Sequence, residues 1–155
     1  MRQSTLVFVF NDKKQILLAM KKRGFGEGKW NGAGGKVEVG ETIPQAASRE
    51  LQEETAIIIS PEKMEVRGVL HFHFDKKPEW NQDVNIFVSY GYIGDFQETE
   101  EMQPAWFDID KIPFDTMGED NSYWLPRVID GENVEFEFYF DADGYIEEYV
   151  EVYGG

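Results

Sequence analysis

The chain has 155 residues, with 30 acidic side chains against 15 basic ones, a formal net charge of −15 and no cysteine. That length suits one domain over residues 1–155 with a real core, the charge argues against nucleic-acid polymers and anionic membrane as partners, and the missing cysteine removes disulfides and thiol chemistry. Nothing at the N-terminus reads as a signal peptide and no apolar run is long enough for a bilayer, so the expectation is a cytoplasmic monomer.

Residues 5–10 (TLVFVF) are β-branched and aromatic and predict a buried strand. A turn over 11–14 leads to a return strand over 15–20 (QILLAM). Lys21, Lys22, Arg23, Lys29 and Lys36 then face a single acid, Glu27. In so acidic a chain this basic stretch reads either as a phosphate-facing patch or as a solvated loop. Residues 36–39 predict a short strand. Thr42 and Pro44 open a helix as cap and first-turn proline. Ile43, Ala46, Ala47 and Leu51 form the apolar stripe of that helix, and 56–59 follow as a strand.

Residues 66–74 (VRGVLHFHF) alternate, placing His71 and His73 on one face and Phe72 and Phe74 on the other. The His-x-His pair has no evident third metal ligand and reads as ordinary strand residues. A polar loop over 75–82 carries Pro78 and Trp80, 84–93 is a strand, 97–103 is acidic and exposed, and 105–108 is a short strand. A helix is expected over 121–129 with Pro126 inside it. Strict alternation over 134–140 puts Val134, Phe136, Phe138 and Phe140 inward, with a hairpin turn at 141–144 and a return over 145–153. The class is α+β with a mixed sheet.

Two features carry chemistry. The segment Gly32-Ala33-Gly34-Gly35 lets backbone approach a ligand closely. Glu50, Glu53 and Glu54 share one helix face, where like charges cost about 0.2–0.5 kcal/mol per pair. A hard divalent cation with oxygen ligands would offset that cost.

The stretch 35–57, GKVEVGETIPQAASRELQEETAI, resembles the box of the Nudix hydrolases, G-x5-E-x7-R-E-U-x-E-E-x-G-U, where U is a bulky aliphatic residue. Gly35, Glu41, Arg49, Glu50, Leu51, Glu53, Glu54 and Ile57 fall on it, while the last glycine is Ala56, where a small backbone adjustment is expected. The resemblance implies the Nudix fold, a central mixed β-sheet packed between α-helices. Further segments, among them 20–26, 29–32, 101–107, 112–114 and 122–124, are similar to the oxidised-purine nucleoside triphosphatases, the animal homologues of MutT. That likeness implies Mg²⁺-dependent hydrolysis of triphosphates such as 8-oxo-dGTP to monophosphate and pyrophosphate, with Mn²⁺ as a substitute ion.

Carried over by position, Glu50, Glu53, Glu54 and Glu101 would hold the metal, with the Gly34 carbonyl as a further ligand. One of the four glutamates would be the general base, and Arg49, paired with Glu41 or Glu53, would orient the cluster. Lys21 would sit near phosphate, Asn31 and Asp120 would bond the base edge, and Phe25, Phe72, Phe74, Met102 and Trp124 would line the base pocket above Thr5. The chain departs from that pattern at Gly118, where the family has a stacking tryptophan, at Asn121, where it has a second aspartate, and at Gln82, where it has a nearby methionine. Two other readings compete: hydrolysis of another diphosphate-linked nucleotide, such as a nucleotide sugar or dinucleotide, and a non-catalytic nucleotide-binding domain.

Overall fold

The computed structural model describes residues 1–24 and 26–152. Eight strands are formed: β1 (Arg2–Val9), β2 (Gln15–Lys21), β3 (Trp30–Asn31), β4 (Glu65–Phe74), β5 (Gln82–Ser89), β6 (Met102–Asp108), β7 (Val134–Phe140) and β8 (Ile146–Glu151). They are joined by α1 (Ile43–Thr55), α2 (Asn121–Ile129) and three short 3₁₀ turns.

The strands make a mixed five-stranded sheet, in the order β1-β5-β4-β7-β8, and an antiparallel sheet, β3-β2-β6. The expected hairpin return of β2 onto β1 reduces to one bridge, Phe10 to Ile16. Both edges of β1 are already occupied. β5 pairs with it in parallel along its whole length. On the other edge the glycine-rich segment lies against it, with Thr5 N–H donating to Gly35 O at 2.9 Å and Val7 N–H to Ala33 O at 2.7 Å. β2 therefore pairs with β6 over residues 15–21.

Alternation along β1 builds two cores. Phe8 packs with Ile16, Leu18, Leu70, Ile86, Trp124, Leu125 and Phe138 on the α2 face. Val7 and Val9 pack with Leu17, Ala47, Leu51, Ile57 and Phe87 on the α1 face. The sheet thus lies between the two helices, as the resemblance implies, and each large buried aliphatic or aromatic side chain contributes about 1.5–3 kcal/mol.

Local chemistry sets the element ends. Thr42 and Gln45 cap α1 reciprocally through backbone N–H groups. α1 ends on Ala56 at φ 70°, ψ −3°. The chain thus keeps a left-handed exit that glycine would occupy without strain, in place of the small adjustment expected there. The segments 36–39 and 56–59 do not form strands. Each contributes a single bridge, Ser4 to Lys36 and Ile58 to Ile93, because the turn of Gly40 at φ 89° and the left-handed Ala56 break the extended run. β5 stops at Ser89 rather than 93, where the Ser89 hydroxyl turns back to Gly91 O at 2.8 Å. β6 begins at Met102 rather than 105, since Met102 pairs with Lys21.

Candidate active site

α1 and the glycine-rich segment form one end of the site. Arg49 grips Glu41 with two bonds, Nε to Oε2 at 2.7 Å and Nη2 to Oε1 at 2.9 Å. Nη1 also reaches Glu50 at 2.8 Å and Glu53 at 3.3 Å, and Nη2 donates to Lys36 O at 3.1 Å. Of the two expected partners, Glu41 takes the fork and Glu53 one longer contact; Glu50 is added. The Arg49 guanidinium holds the Glu41 carboxyl down at about 2, helped by the Glu38 backbone N–H, and Glu41 in turn raises the pKa of Arg49.

Gly35 makes room for Glu50: a Cβ there would stand 2.6 Å from the Glu50 carboxyl carbon. Gly34 is equally constrained, since a Cβ would lie 1.8 Å from Thr5 O. The Thr5 hydroxyl lies 3.3 Å from both the N–H and the carbonyl oxygen of Gly35. Glu54 accepts from Gly34 N–H at 3.3 Å. Burial pushes its carboxyl up to about 8, with Glu50 and Glu53 adding to the rise and the Gly34 bond and Lys21 opposing it. Glu53 remains 59% exposed.

These donors fit a divalent cation. They are hard oxygens, and Glu54 is a half-buried carboxyl that no ion pair among the described residues joins. The carboxylates are not yet gathered: among the described residues no three acidic or histidine side chains converge closely enough to hold an ion. Glu50 is turned to Arg49. Glu101 lies apart from the cluster, bound by Arg23 at 2.9 Å.

From this end a cavity of about 850 Å³ runs across the sheet, lined by Thr5, Lys21, Asn31, Gly34, Glu54, Phe72, Phe74, Met102 and Asp120 among the expected residues. Phe25 lies outside the described residues. Trp124 is not on the wall. It is fully buried behind it, and its indole N–H donates to Asp120 Oδ2 at 2.9 Å. Its role is to fix the carboxyl, because α2 turns residue 124 inward one turn after residue 120. Burial raises the pKa of Asp120, and the Trp124 bond opposes the rise.

The basic stretch divides. Lys21, Lys29 and Lys36 line the cavity. Lys22 bonds Glu98 and Thr99 O, and Arg23 pairs with Glu100 and Glu101. Sequence reasoning passed over Phe140, which lines the cavity stacked on Phe74 at 4.8 Å and 15°. The alternation of β7 marks it as inward, but only the parallel pairing of Phe74 with Phe140 places it at the site. Trp80 also lines the cavity, edge-on to Phe74 at 5.7 Å with the Lys77 ammonium 4.2 Å from its ring centre.

A family model described as the NUDIX domain matches residues 1–128. This chain belongs to the Nudix family. It is 46% identical over 141 residues to the oxidized purine nucleoside triphosphate hydrolase of Danio rerio, an alignment covering 91% of this chain and 86% of that protein. It is 46% identical over 128 residues to the protein of the same name in Mus musculus, covering 83% and 80%. Among solved structures, a MutT protein from Bacillus halodurans superposes with a TM-score of 0.85 over 97% of both chains at 22% identity, which supports the fold. Nudix hydrolases generally use a divalent metal. No helix among the described residues is long and apolar enough to cross a membrane.

Proposed function

We propose that the chain is a Mg²⁺-dependent nucleoside triphosphate pyrophosphohydrolase that cleaves oxidised purine nucleotides such as 8-oxo-dGTP to the monophosphate and pyrophosphate. The observation that carries this reading is the continuity of one cavity between the Glu54, Gly34 and Lys21 end and the aromatic pocket closed by Asp120. A nucleoside triphosphate needs both ends: carboxylates and lysines for its phosphates, and a dry aromatic slot for its base. The 46% identity to two hydrolases named for that substrate supports the same reading.

Glu50, Glu53 and Glu54 would hold the ion, which when bound supplies charge neutralisation at the phosphates and acidifies water. Mn²⁺ offers similar chemistry to the same oxygens. Arg49 positions this set by holding Glu50 and Glu53 while Glu41 anchors its other side. Lys21 places a positive charge against the phosphates. A carboxylate of the cluster takes the proton of the attacking water as the new P–O bond forms and the anhydride P–O bond breaks. Phe72, Phe74, Phe140 and Trp80 wall the base, while Asn31 and Asp120 bond its edge. The reading describes a cytoplasmic monomer acting on a free nucleotide.

Turnover of a panel of oxidised and unmodified nucleoside triphosphates, nucleotide sugars and dinucleotides, followed by separation of the nucleotide products and by pyrophosphate release, tests this function. Monophosphate and pyrophosphate from purine triphosphates are expected. Turnover confined to nucleotide sugars or dinucleotides, or none at all, contradicts it.

A further inference from the structure

The charged side chains are not spread evenly over the molecule. The cavity wall carries six of the chain's 15 basic side chains, Arg2, Lys21, Lys29, Lys36, Lys76 and Lys77, but only five of its 30 acidic ones. Elsewhere acids outnumber bases by more than two to one. The arginines divide in the same way. Arg23, Arg49, Arg67 and Arg127 each hold a carboxylate. Arg2 holds none. It is half-buried on the cavity wall, and its head group forms no hydrogen bond or ion pair among the described residues. Taking a guanidinium partly out of water without an anion is costly. In a chain so rich in carboxylates, an unpaired arginine on a cavity wall points to an anion that arrives with the ligand.

The place of Arg2 in the sheet narrows what that anion is. Arg2 pairs with Gln82 across β1 and β5. Gln82 Nε2 donates to Trp80 O at 3.3 Å, and the Lys77 ammonium lies 4.2 Å from the Trp80 ring centre. On the other edge of β1, Ser4 bridges to Lys36, whose carbonyl oxygen accepts from Arg49 Nη2 at 3.1 Å. Arg2 therefore stands in a row of cations along one rim of the cavity, running from the loop over 75–81 to the Arg49 hub beside Glu50 and Glu53. An uncharged base has no use for such a row. A chain of phosphates has, because its charge extends over several groups and a planar guanidinium matches phosphate oxygens in pairs.

We propose that Arg2 binds the polyphosphate of the substrate, flanked by Lys36 and Lys77, and that this row favours triphosphates over nucleotides with fewer phosphates. The contact is made by the Nη end of the guanidinium, since Nε is enclosed. The same row gives an anionic nucleotide a favourable approach to a protein of net charge −15. This deepens the proposed function and rests on it.

The test is calorimetric binding, with Mg²⁺ present, of inorganic pyrophosphate and separately of an unphosphorylated purine nucleoside to the wild type, Arg2→Gln and Arg2→Lys. Arg2→Gln should weaken pyrophosphate binding by about tenfold and leave nucleoside binding within about twofold. Arg2→Lys, which keeps the charge, should recover most of that loss. In turnover, the ratio of kcat/KM for a purine triphosphate over its diphosphate should fall in Arg2→Gln, and the decline of kcat/KM with added salt should become shallower. If Arg2→Gln fails to fold by thermal melting, Lys77→Gln, at an exposed position of the same row, serves with the same signs. Unchanged pyrophosphate affinity, or equal losses of pyrophosphate and nucleoside, overturns the proposal. No turnover of any triphosphate contradicts the functional reading instead, and the pyrophosphate constants still report on Arg2.

Discussion

The two ends of the cavity are built in different ways. The acidic end comes from consecutive turns of α1 and a few glycines: Arg49, Glu50, Glu53 and Glu54 lie within six residues. Its groups are partly exposed and tied by ion pairs, such as Glu50 on Arg49 and Glu101 on Arg23. The base end draws Thr5 from β1, Phe72 and Phe74 from β4, Phe140 from β7, and Asp120 and Asn121 from the start of α2. There Thr5, Phe140, Asp120 and Asn121 are buried, Phe72 and Phe74 half-buried, and the groups are held by packing and by the Trp124 bond. A local charged cluster can adapt to metal and phosphate, whereas a packed pocket selects by shape and by which atoms donate.

If that division holds, substitutions at the acidic end lower the rate for every substrate, and those at the base end change the ranking of substrates. The largest effect is expected at Glu53. Glu53→Gln keeps shape and removes charge, and kcat should fall by at least about 10²-fold on all triphosphates. Its melting temperature should hold or rise, because repulsion of Glu54 by Glu53 is relieved, while the Arg49 ion pair that is lost is a largely exposed one at 3.3 Å. Steady-state kinetics with a thermal melt checks both, and a variant keeping most of its kcat would remove Glu53 from the reaction centre.

Next in size is Asp120→Asn. It should reduce kcat/KM for the best purine triphosphate by roughly tenfold or more, since a good base-edge contact is worth about 1–3 kcal/mol. Metal affinity, read by titration calorimetry, should not change. Equal losses on purine and pyrimidine triphosphates would show that Asp120 does not read the base.

The acidic end also responds to pH. The raised carboxyl of Glu54 has a folded pKa of about 8 against 4.5 unfolded, so the metal-free fold binds a proton that the unfolded chain releases. Stability of the metal-free protein should therefore fall as pH rises from about 4.5 to 8. Saturating divalent metal, or Glu54→Gln, should flatten that fall. His71, on the far face of β4 from Phe72, acts in the same direction. Burial opposes its charge, but bonds to Asp83 at 2.6 Å and Glu135 at 2.7 Å raise its pKa above the ordinary 6.5. Its contribution is full below about pH 6.5 and is lost as pH rises through the folded value. Thermal melts across pH with metal present, compared between the wild type and His71→Gln, read the His71 contribution, and the variant should show a shallower fall.

The smallest effect is at Ala56. Ala56→Gly relieves the left-handed strain at φ 70° and should stabilise the protein by about 0.5–1 kcal/mol, read by urea denaturation. No change would mean that the unfolded-state freedom of glycine cancels the relief.

The same division explains what could be read from the chain itself. Helix period and motif spacing fix the relations among Glu50, Glu53 and Glu54, because neighbours on a helix are neighbours in sequence. The alternation of β7 separates inward from outward side chains, and that of β4 puts Phe72 and Phe74 on the cavity and His71 and His73 on the other face. Partnership between distant strands is not written locally. β2 pairs with β6 rather than β1 because the glycine-rich segment takes the β1 edge, and no periodicity announces that. Trp124 shows the same limit: its spacing from Asp120 implies contact, but only the packed core shows that it stands behind the carboxyl. Glu101 was placed at the metal by position, and its bond to Arg23 depends on two loops meeting.

The most direct test of the central claim is the ratio of kcat/KM for a purine over a pyrimidine triphosphate with Mg²⁺, measured for the wild type, Glu53→Gln and Asp120→Asn. The account predicts that Glu53→Gln leaves this ratio within about twofold while lowering both values, and that Asp120→Asn lowers the ratio by roughly tenfold. A ratio that moves with Glu53 and stays fixed with Asp120 would contradict it.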